Sequence, residues 1–173
     1  MPNSETVYSC DFFRVLYSTF SNGSITKPFY VVEFGPRAGL VLTRANEVLL
    51  VKQFRYLPND YSWELPGGTV NPSESSEDGA RRECLEETGV RCGVLERLVV
   101  YYPGLDNVNN ETSVFLCKDF EEEWGVDFEL GEISEVRWFH IDEAIGMIRS
   151  AQILDAMTIM GLMSYKLGFY TGG

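Results

Sequence analysis

The chain has 173 residues, 45% of them hydrophobic, which suits one domain with a sizeable core and argues against disorder. Its 26 acids and 14 bases give a net charge of −12. That charge excludes a long polyanion such as DNA in the absence of a basic stripe, but admits a small anion where metal ions and a few arginines supply positive charge. In chain order, MPNSETVYSCDFF lacks the basic start and apolar run of a signal peptide. Residues 6–34, rich in Val, Phe and Tyr, read as strands with a turn at SNGS. They either add edge strands to one sheet or form an N-terminal element for packing or dimerisation. Pro36 and Gly39 mark a break, which divides the chain into residues 1–37 and 38–173.

The runs Leu40–Leu42 and Val48–Val51, separated by a polar turn at Ala45–Glu47, read as two buried strands of a hairpin ended by Pro58 and Asn59. YSWELPGG follows, and Gly67 and Gly68 permit a close backbone approach to a ligand or metal. Further on, Val94–Tyr102 reads as a strand, 103–112 as a polar loop, Ser113–Cys117 as a strand and Asp119–Asp127 as an exposed acidic turn. Val136–His140 reads as a strand, Asp142 as the cap of a helix to Arg149, and 151–167 as a second helix. The only histidine, His140, sits in an apolar strand context that argues for a structural role. No apolar run approaches the ~20 residues of a membrane span. Cys10, Cys84, Cys92 and Cys117 form no CxxC pair, so the expectation is a cytoplasmic protein with reduced thiols and neither a disulfide frame nor a zinc knuckle.

The stretch Gly68–Val90, GTVNPSESSEDGARRECLEETGV, carries the densest pattern. Ser75 and Asp78 suit a helix start, acids at Glu77 and Asp78 suit its positive end, and Gly89 suits its stop. Glu83, Glu86 and Glu87 then share one helical face. Like charges at that spacing repel, and become favourable when Mg²⁺ or Mn²⁺ sits among these hard oxygens. Ala80 and Cys84 leave the opposite side small and apolar.

At these spacings the stretch resembles the Nudix box: G, five residues, E, seven residues, then R-E-apolar-x-E-E-x-G-apolar. Gly68, Glu74, Arg82, Glu83, Cys84, Glu86, Glu87, Gly89 and Val90 fill it. The resemblance implies an α/β fold, an α/β/α sandwich around a mixed sheet with an N-terminal β extension. It implies hydrolysis of a nucleoside diphosphate linked to another group. Glu83, Glu86 and Glu87 would be metal ligands with the Gly67 carbonyl, Arg82 would hold a box carboxylate, and Glu74 would fix the first loop. The flanks VKQFRYLPNDYSWELPGG, YYPG and ILDAMTIMGL are similar to the ADP-ribose pyrophosphatase branch. That likeness implies ADP-ribose or a related nucleotide sugar as substrate, a homodimer through the N-terminal strands, and Glu64 at the cleft. Arg55, at a strand end near the box lead-in, is a candidate for the diphosphate; Trp63 and Tyr56 are candidates to stack on a base. In the branch an acid closely follows the proline turn. Here Glu111 stands eight residues after Pro103 and Asp106 three after it, and Glu111 is the candidate base or metal helper. Hydrolysis of nucleoside triphosphates or dinucleoside polyphosphates is the second enzyme reading. A non-catalytic nucleotide-sugar sensor is the third, although such modules usually lose box glutamates.

Overall fold

The computed structural model describes residues 4–122 and 133–169. Three antiparallel strands come first: β1 (Glu5–Ser9), β2 (Arg14–Asn22) and β3 (Ile25–Glu33). The β2–β3 turn passes through Gly23 at φ 59°, the left-handed conformation a tight hairpin needs and glycine adopts freely. These strands do not extend the central sheet. They form a sheet of their own, completed by β10 (Val108–Asn109), which runs parallel to β3. The segment 103–112, expected as a plain loop, therefore contains a short strand docked on the N-terminal extension.

The central sheet is built on a hairpin that comes apart. β4 (Arg37–Arg44) and β5 (Glu47–Arg55) pair only at Thr43↔Val48 and Arg44↔Glu47. Beyond the turn each takes other neighbours. β4 pairs with β7 (Gly67–Thr69) on one side and in parallel with β11 (Thr112–Cys117) on the other. β5 pairs with β6 (Asp60–Glu64) and β13 (Ile133–His140), while β9 (Leu95–Tyr101) closes the edge beyond β11. One parallel pair among antiparallel ones makes the sheet mixed. β8 (Val90–Cys92) and β12 (Phe120–Glu122) form a separate ribbon. The acidic segment expected as a turn thus begins as strand β12, and its remainder, including Trp124, lies outside the described residues.

Side chains alternate across β4, β5 and β11, and both faces are covered. Ala38, Leu40, Leu42, Leu49, Phe115 and Cys117 pack with Ala80 and Cys84 of α1 (Ser76–Thr88). Val41, Val48, Leu50, Val114 and Leu116 pack against α2 (Ile141–Arg149) and α3 (Ala156–Leu167). Burial on two faces explains the unbroken apolar runs, each such side chain contributing about 1.5–3 kcal/mol. The expected α/β/α sandwich is the architecture observed.

The helix starts differ from expectation. The cap of α2 is His140, whose Nδ1 accepts from the Asp142 N–H at 3.3 Å, so Asp142 lies in the first turn instead. Its charge there suits the helix's positive end. Residues 151–155 are not helical: Ala151 has φ 58°, and Asp155 caps α3 by accepting from the Thr158 N–H at 2.7 Å. Within α3, Gly161 rests directly on the sheet; a Cβ there would lie 2.6 Å from Leu65 Cδ1 and 3.1 Å from Val114 Cγ1. Helix propensity alone favours Gly→Ala by ~1 kcal/mol. Overpacking a closed core costs about 1–3 kcal/mol, so Gly161→Ala is expected to lower the melting temperature, as a thermal denaturation curve will read. A rise would show that propensity wins at this contact.

Candidate active site

Helix α1 is set by its ends. The Ser75 hydroxyl oxygen accepts from the Asp78 N–H at 3.1 Å, and Gly89, at φ 69°, donates its N–H to the Leu85 carbonyl at 2.9 Å. Between these ends Arg82 gathers the first half of the box. It donates to Glu74 (3.0 Å), Glu83 (2.9 Å), Glu86 (3.1 Å) and the Thr69 carbonyl (2.8 Å). The bond to Glu74 is the largest influence holding the guanidinium firmly charged, and the same bond, with the Asn71 N–H, holds the Glu74 carboxyl below its usual range. Glu74 also accepts from the Asn71 N–H at 2.9 Å, so it fixes the loop before the helix.

Glu83 and Glu87 face β7. A Cβ on Gly68 would come within 2.5 Å of the Glu83 carboxyl carbon, so a side chain there would displace that carboxylate. A Cβ on Gly67 would lie 2.4 Å from the Ala38 carbonyl oxygen and 2.6 Å from Gly39 Cα, which closes that position to every other residue. The Leu40 N–H donates to the Pro66 carbonyl and the Val70 N–H to the Pro36 carbonyl, each at 3.0 Å. In an antiparallel ladder that phase turns the N–H and C=O of Gly67 away from β4. The N–H donates to Glu87 Oε2 at 2.9 Å, and the carbonyl shares that free edge. The other Glu87 oxygen accepts from Gln53 Nε2 at 2.8 Å. Burial pushes the Glu87 carboxyl up to about 7; the Gly67 N–H opposes this, the Glu83 charge adds to it, and Gln53 and Arg55 oppose it.

Among the described residues no three acid, histidine or cysteine side chains form a ready metal cage. What β7 and α1 offer is an open set: the Glu83 and Glu87 carboxylates and the free edge of Gly67. Glu86, half-exposed, is bonded to Arg82 at 3.1 Å on the same helix. Magnesium binds through one or two carboxylates, completed by water and phosphate oxygens, so this donor set fits a hard divalent cation. A carboxylate that burial disfavours as a bare anion is also one that a cation relieves.

The flanking candidates divide. Arg55 and Glu64 form a two-pronged ion pair, Nε to Oε1 at 2.8 Å with Nη2 on Oε2, and Glu64 is 3% exposed. Arg55 lies within electrostatic reach of both Glu87 and Asp155. The structure therefore brings Arg55, Glu64 and Glu87 together. Glu111 accepts from the Tyr102 hydroxyl at 2.5 Å and lines a hollow with Arg14, Phe34 and Pro72 beneath the N-terminal sheet, where it meets no box carboxylate. Asp106 is exposed. Trp63 packs edge-on to Phe139 in the core, with centroids 4.7 Å apart, and Tyr56 is 86% exposed. His140 is a helix cap, and all four cysteines are free. Gln53 received no role from the sequence; its signal was a polar residue at an inward position of an apolar strand.

The NUDIX domain model matches residues 33–157 of this chain. The chain belongs to the NUDIX family. It is 30% identical over 131 residues to the CMP-5'-(N-acetyl-N-hydroxy-3-aminopropyl)phosphonate hydrolase of Streptomyces rubellomurinus, covering 75% of this chain and 63% of that protein. It is 28% identical over 149 residues to the ADP-ribose pyrophosphatase of Bacillus subtilis, covering 84% and 80% respectively. A solved structure of an ADP compounds hydrolase superposes with a TM-score of 0.80 at 17% identity, over 96% of this chain and 91% of the other, and so shares its fold. NUDIX hydrolases generally use divalent cations, in keeping with the donor set.

The raised Glu87 value has a consequence for stability. A carboxyl whose folded value exceeds its unfolded one contributes most at low pH and loses that contribution as pH rises through the folded value. Without metal, the penalty on wild-type protein therefore grows between about pH 5 and 8 and persists above it, at on the order of 3 kcal/mol at most. Glu87→Gln removes the penalty, and Gln53 can turn its amide to meet the new one. In chelator, the stability of the variant relative to wild type should grow from pH 5 to pH 8 in urea titrations; a constant difference would contradict the assigned burial cost.

Proposed function

We propose that this NUDIX chain is a Mg²⁺-dependent pyrophosphohydrolase, with Mn²⁺ as the substitute ion. It splits ADP-ribose or a related nucleoside diphosphate sugar into a nucleoside monophosphate and a sugar phosphate. The observation that carries the reading is the pair Glu83 and Glu87 set against the Gly67–Gly68 backbone. When bound there, a divalent cation supplies charge neutralisation of the phosphate oxygens and an acidified water. The chain's own groups do the rest. Glu83, Glu87 and the Gly67 carbonyl would hold the ion, with Glu86 on the same helix as a further carboxylate ligand. Arg82 sets the Glu83 rotamer, and Gln53 sets that of Glu87. Arg55, already charged and anchored by Glu64, presents the rest of its guanidinium to a diphosphate oxygen. Glu111, held by the Tyr102 hydroxyl in a hollow apart from the box carboxylates, is assigned no step in the reaction.

The relative named ADP-ribose pyrophosphatase and the flanking similarity to that branch favour a nucleotide sugar over a triphosphate. Purified protein with Mg²⁺ should release AMP from ADP-ribose faster than it hydrolyses nucleoside triphosphates or dinucleoside polyphosphates; the reverse order rejects the substrate assignment. Binding of ADP-ribose without AMP release would instead support a sensor. Glu87→Gln is expected to lower turnover by about two orders of magnitude or more with the fold retained, because it removes metal charge and no core packing.

A cytoplasmic homodimer completes the proposal. Phe20 is 56% and Ile25 59% exposed on the N-terminal sheet, with Phe12 84% exposed in the β1–β2 turn, an apolar surface of the kind that marks an interface. Phe20 and Ile25 share one face of the β2–β3 hairpin. Phe20→Lys combined with Ile25→Lys should shift sedimentation from dimer to monomer; a wild-type monomer at micromolar concentration would end this part of the reading.

A further inference from the structure

In this acidic chain the arginines are mostly claimed by carboxylates. Arg14, Arg44, Arg55, Arg81, Arg82 and Arg137 each form an ion pair. Arg37 forms none with the described residues, although it is half-buried and its Nε is wholly enclosed without a hydrogen-bond partner. Desolvating part of a guanidinium without an acceptor is costly, and an anionic oxygen is the group that best offsets the cost. One other buried side-chain atom among the described residues shares this condition, the amide oxygen Oδ1 of Asn110.

The two belong to one place. Tyr101, Thr112, Arg37 and Thr69 form a single row across β9, β11, β4 and β7. Adjacent strands lie about 4.8 Å apart, so Arg37 stands one strand from Thr69. Thr69 is the residue after Gly68, and its carbonyl is held by Arg82. The Arg37 N–H donates to the Glu111 carbonyl at 2.8 Å, which ties its backbone to the residue following Asn110. Asn110 precedes Thr112 by two residues, the spacing that returns an extended chain to the same face. On that face Met157 covers Gly39, where a Cβ would lie 2.7 Å from its Sδ, and Asp155 caps α3 nearby. Tyr101 registers this surrounding: burial chiefly raises its phenol, Asp155 adds to the rise, and Thr112 and Arg37 lower it.

We propose that Arg37 and Asn110 form a subsite for the phosphorylated sugar half of the substrate, the guanidinium taking an anionic phosphate oxygen and the Asn110 amide oxygen taking a sugar hydroxyl. The inference rests on the nucleotide-sugar reading above and refines it, because a guanidinium lacking an acceptor and, on the segment paired with its strand, an amide oxygen lacking a donor match a phosphate that carries a hydroxylated ring.

The test avoids turnover. Ribose 5-phosphate, inorganic phosphate and ribose are titrated into metal-free protein in chelator at low ionic strength, with calorimetry and melting temperature as readouts. Wild type should bind ribose 5-phosphate more tightly than phosphate, and ribose not measurably. Arg37→Met, which keeps the stem and loses the charge, should weaken ribose 5-phosphate at least tenfold, with Arg37→Lys between the two. Asn110→Ala should reduce ribose 5-phosphate to the level of phosphate. Equal binding by wild type and Arg37→Met overturns the subsite, as does the absence of ribose 5-phosphate binding to wild type. Equal affinity of wild type for phosphate and ribose 5-phosphate overturns the sugar contact. Ligand-free melting curves establish that each variant is folded. A chain that cleaves no nucleotide could still pass, and one that cleaves ADP-ribose could still fail, so the two proposals stand or fall separately.

Discussion

The Glu87 carboxylate ties the two halves of the central sheet together. One oxygen accepts a hydrogen bond from Gln53 on β5 and the other from the Gly67 backbone on β7. These strands belong to the two halves of a sheet whose central hairpin pairs over two residue positions and then divides. The end of α1 thus fills the division and binds both sides of it. A carboxyl in that place is costly to ionise, yet two donors already point at it. The arrangement favours a bound cation without forming a closed cage, and an open coordination shell is what a phosphate substrate requires.

Charge elsewhere follows the same economy. With acids in excess, most arginines are drawn into local pairs that orient other groups. Arg82 alone serves three carboxylates and one carbonyl, so removing it would release several groups together. Such partly exposed pairs add little to stability singly, and their value lies in fixing rotamers. Arg55 belongs to the same class, rigid because Glu64 beneath it is buried.

What was legible in the sequence was local. The box helix, with its cap at Ser75, its stop at Gly89 and its shared glutamate face, follows from spacings of three and four residues. The central strands were legible because sheets covered on both faces carry unbroken apolar runs. What escaped depends on distant partners. Two residues of β10 form a strand only because β3 lies beside them. Gln53 looks like any strand residue until Glu87 arrives 34 positions later. The start of α3 was set too early because apolar content at Ile153 and Leu154 reads as helix, whereas Ala151 turns left-handed and Asp155 supplies the cap. At α2 an imidazole outcompeted the more usual aspartate for the cap.

The parallel pairing of β10 with β3 reaches further than its length suggests. The Val32 N–H donates to the Asn107 carbonyl, the Phe34 N–H to the Asn109 carbonyl, and the Asn109 amide to Glu33. The segment bearing Asn110 and Glu111 is therefore stitched to the amino-terminal ribbon on one flank and to β4 on the other. A ribbon displaced by even one residue would drag those two side chains with it. In this molecule the outermost strands act as a jig for the 107–111 segment, so shape changes at the periphery carry through to the strands it joins.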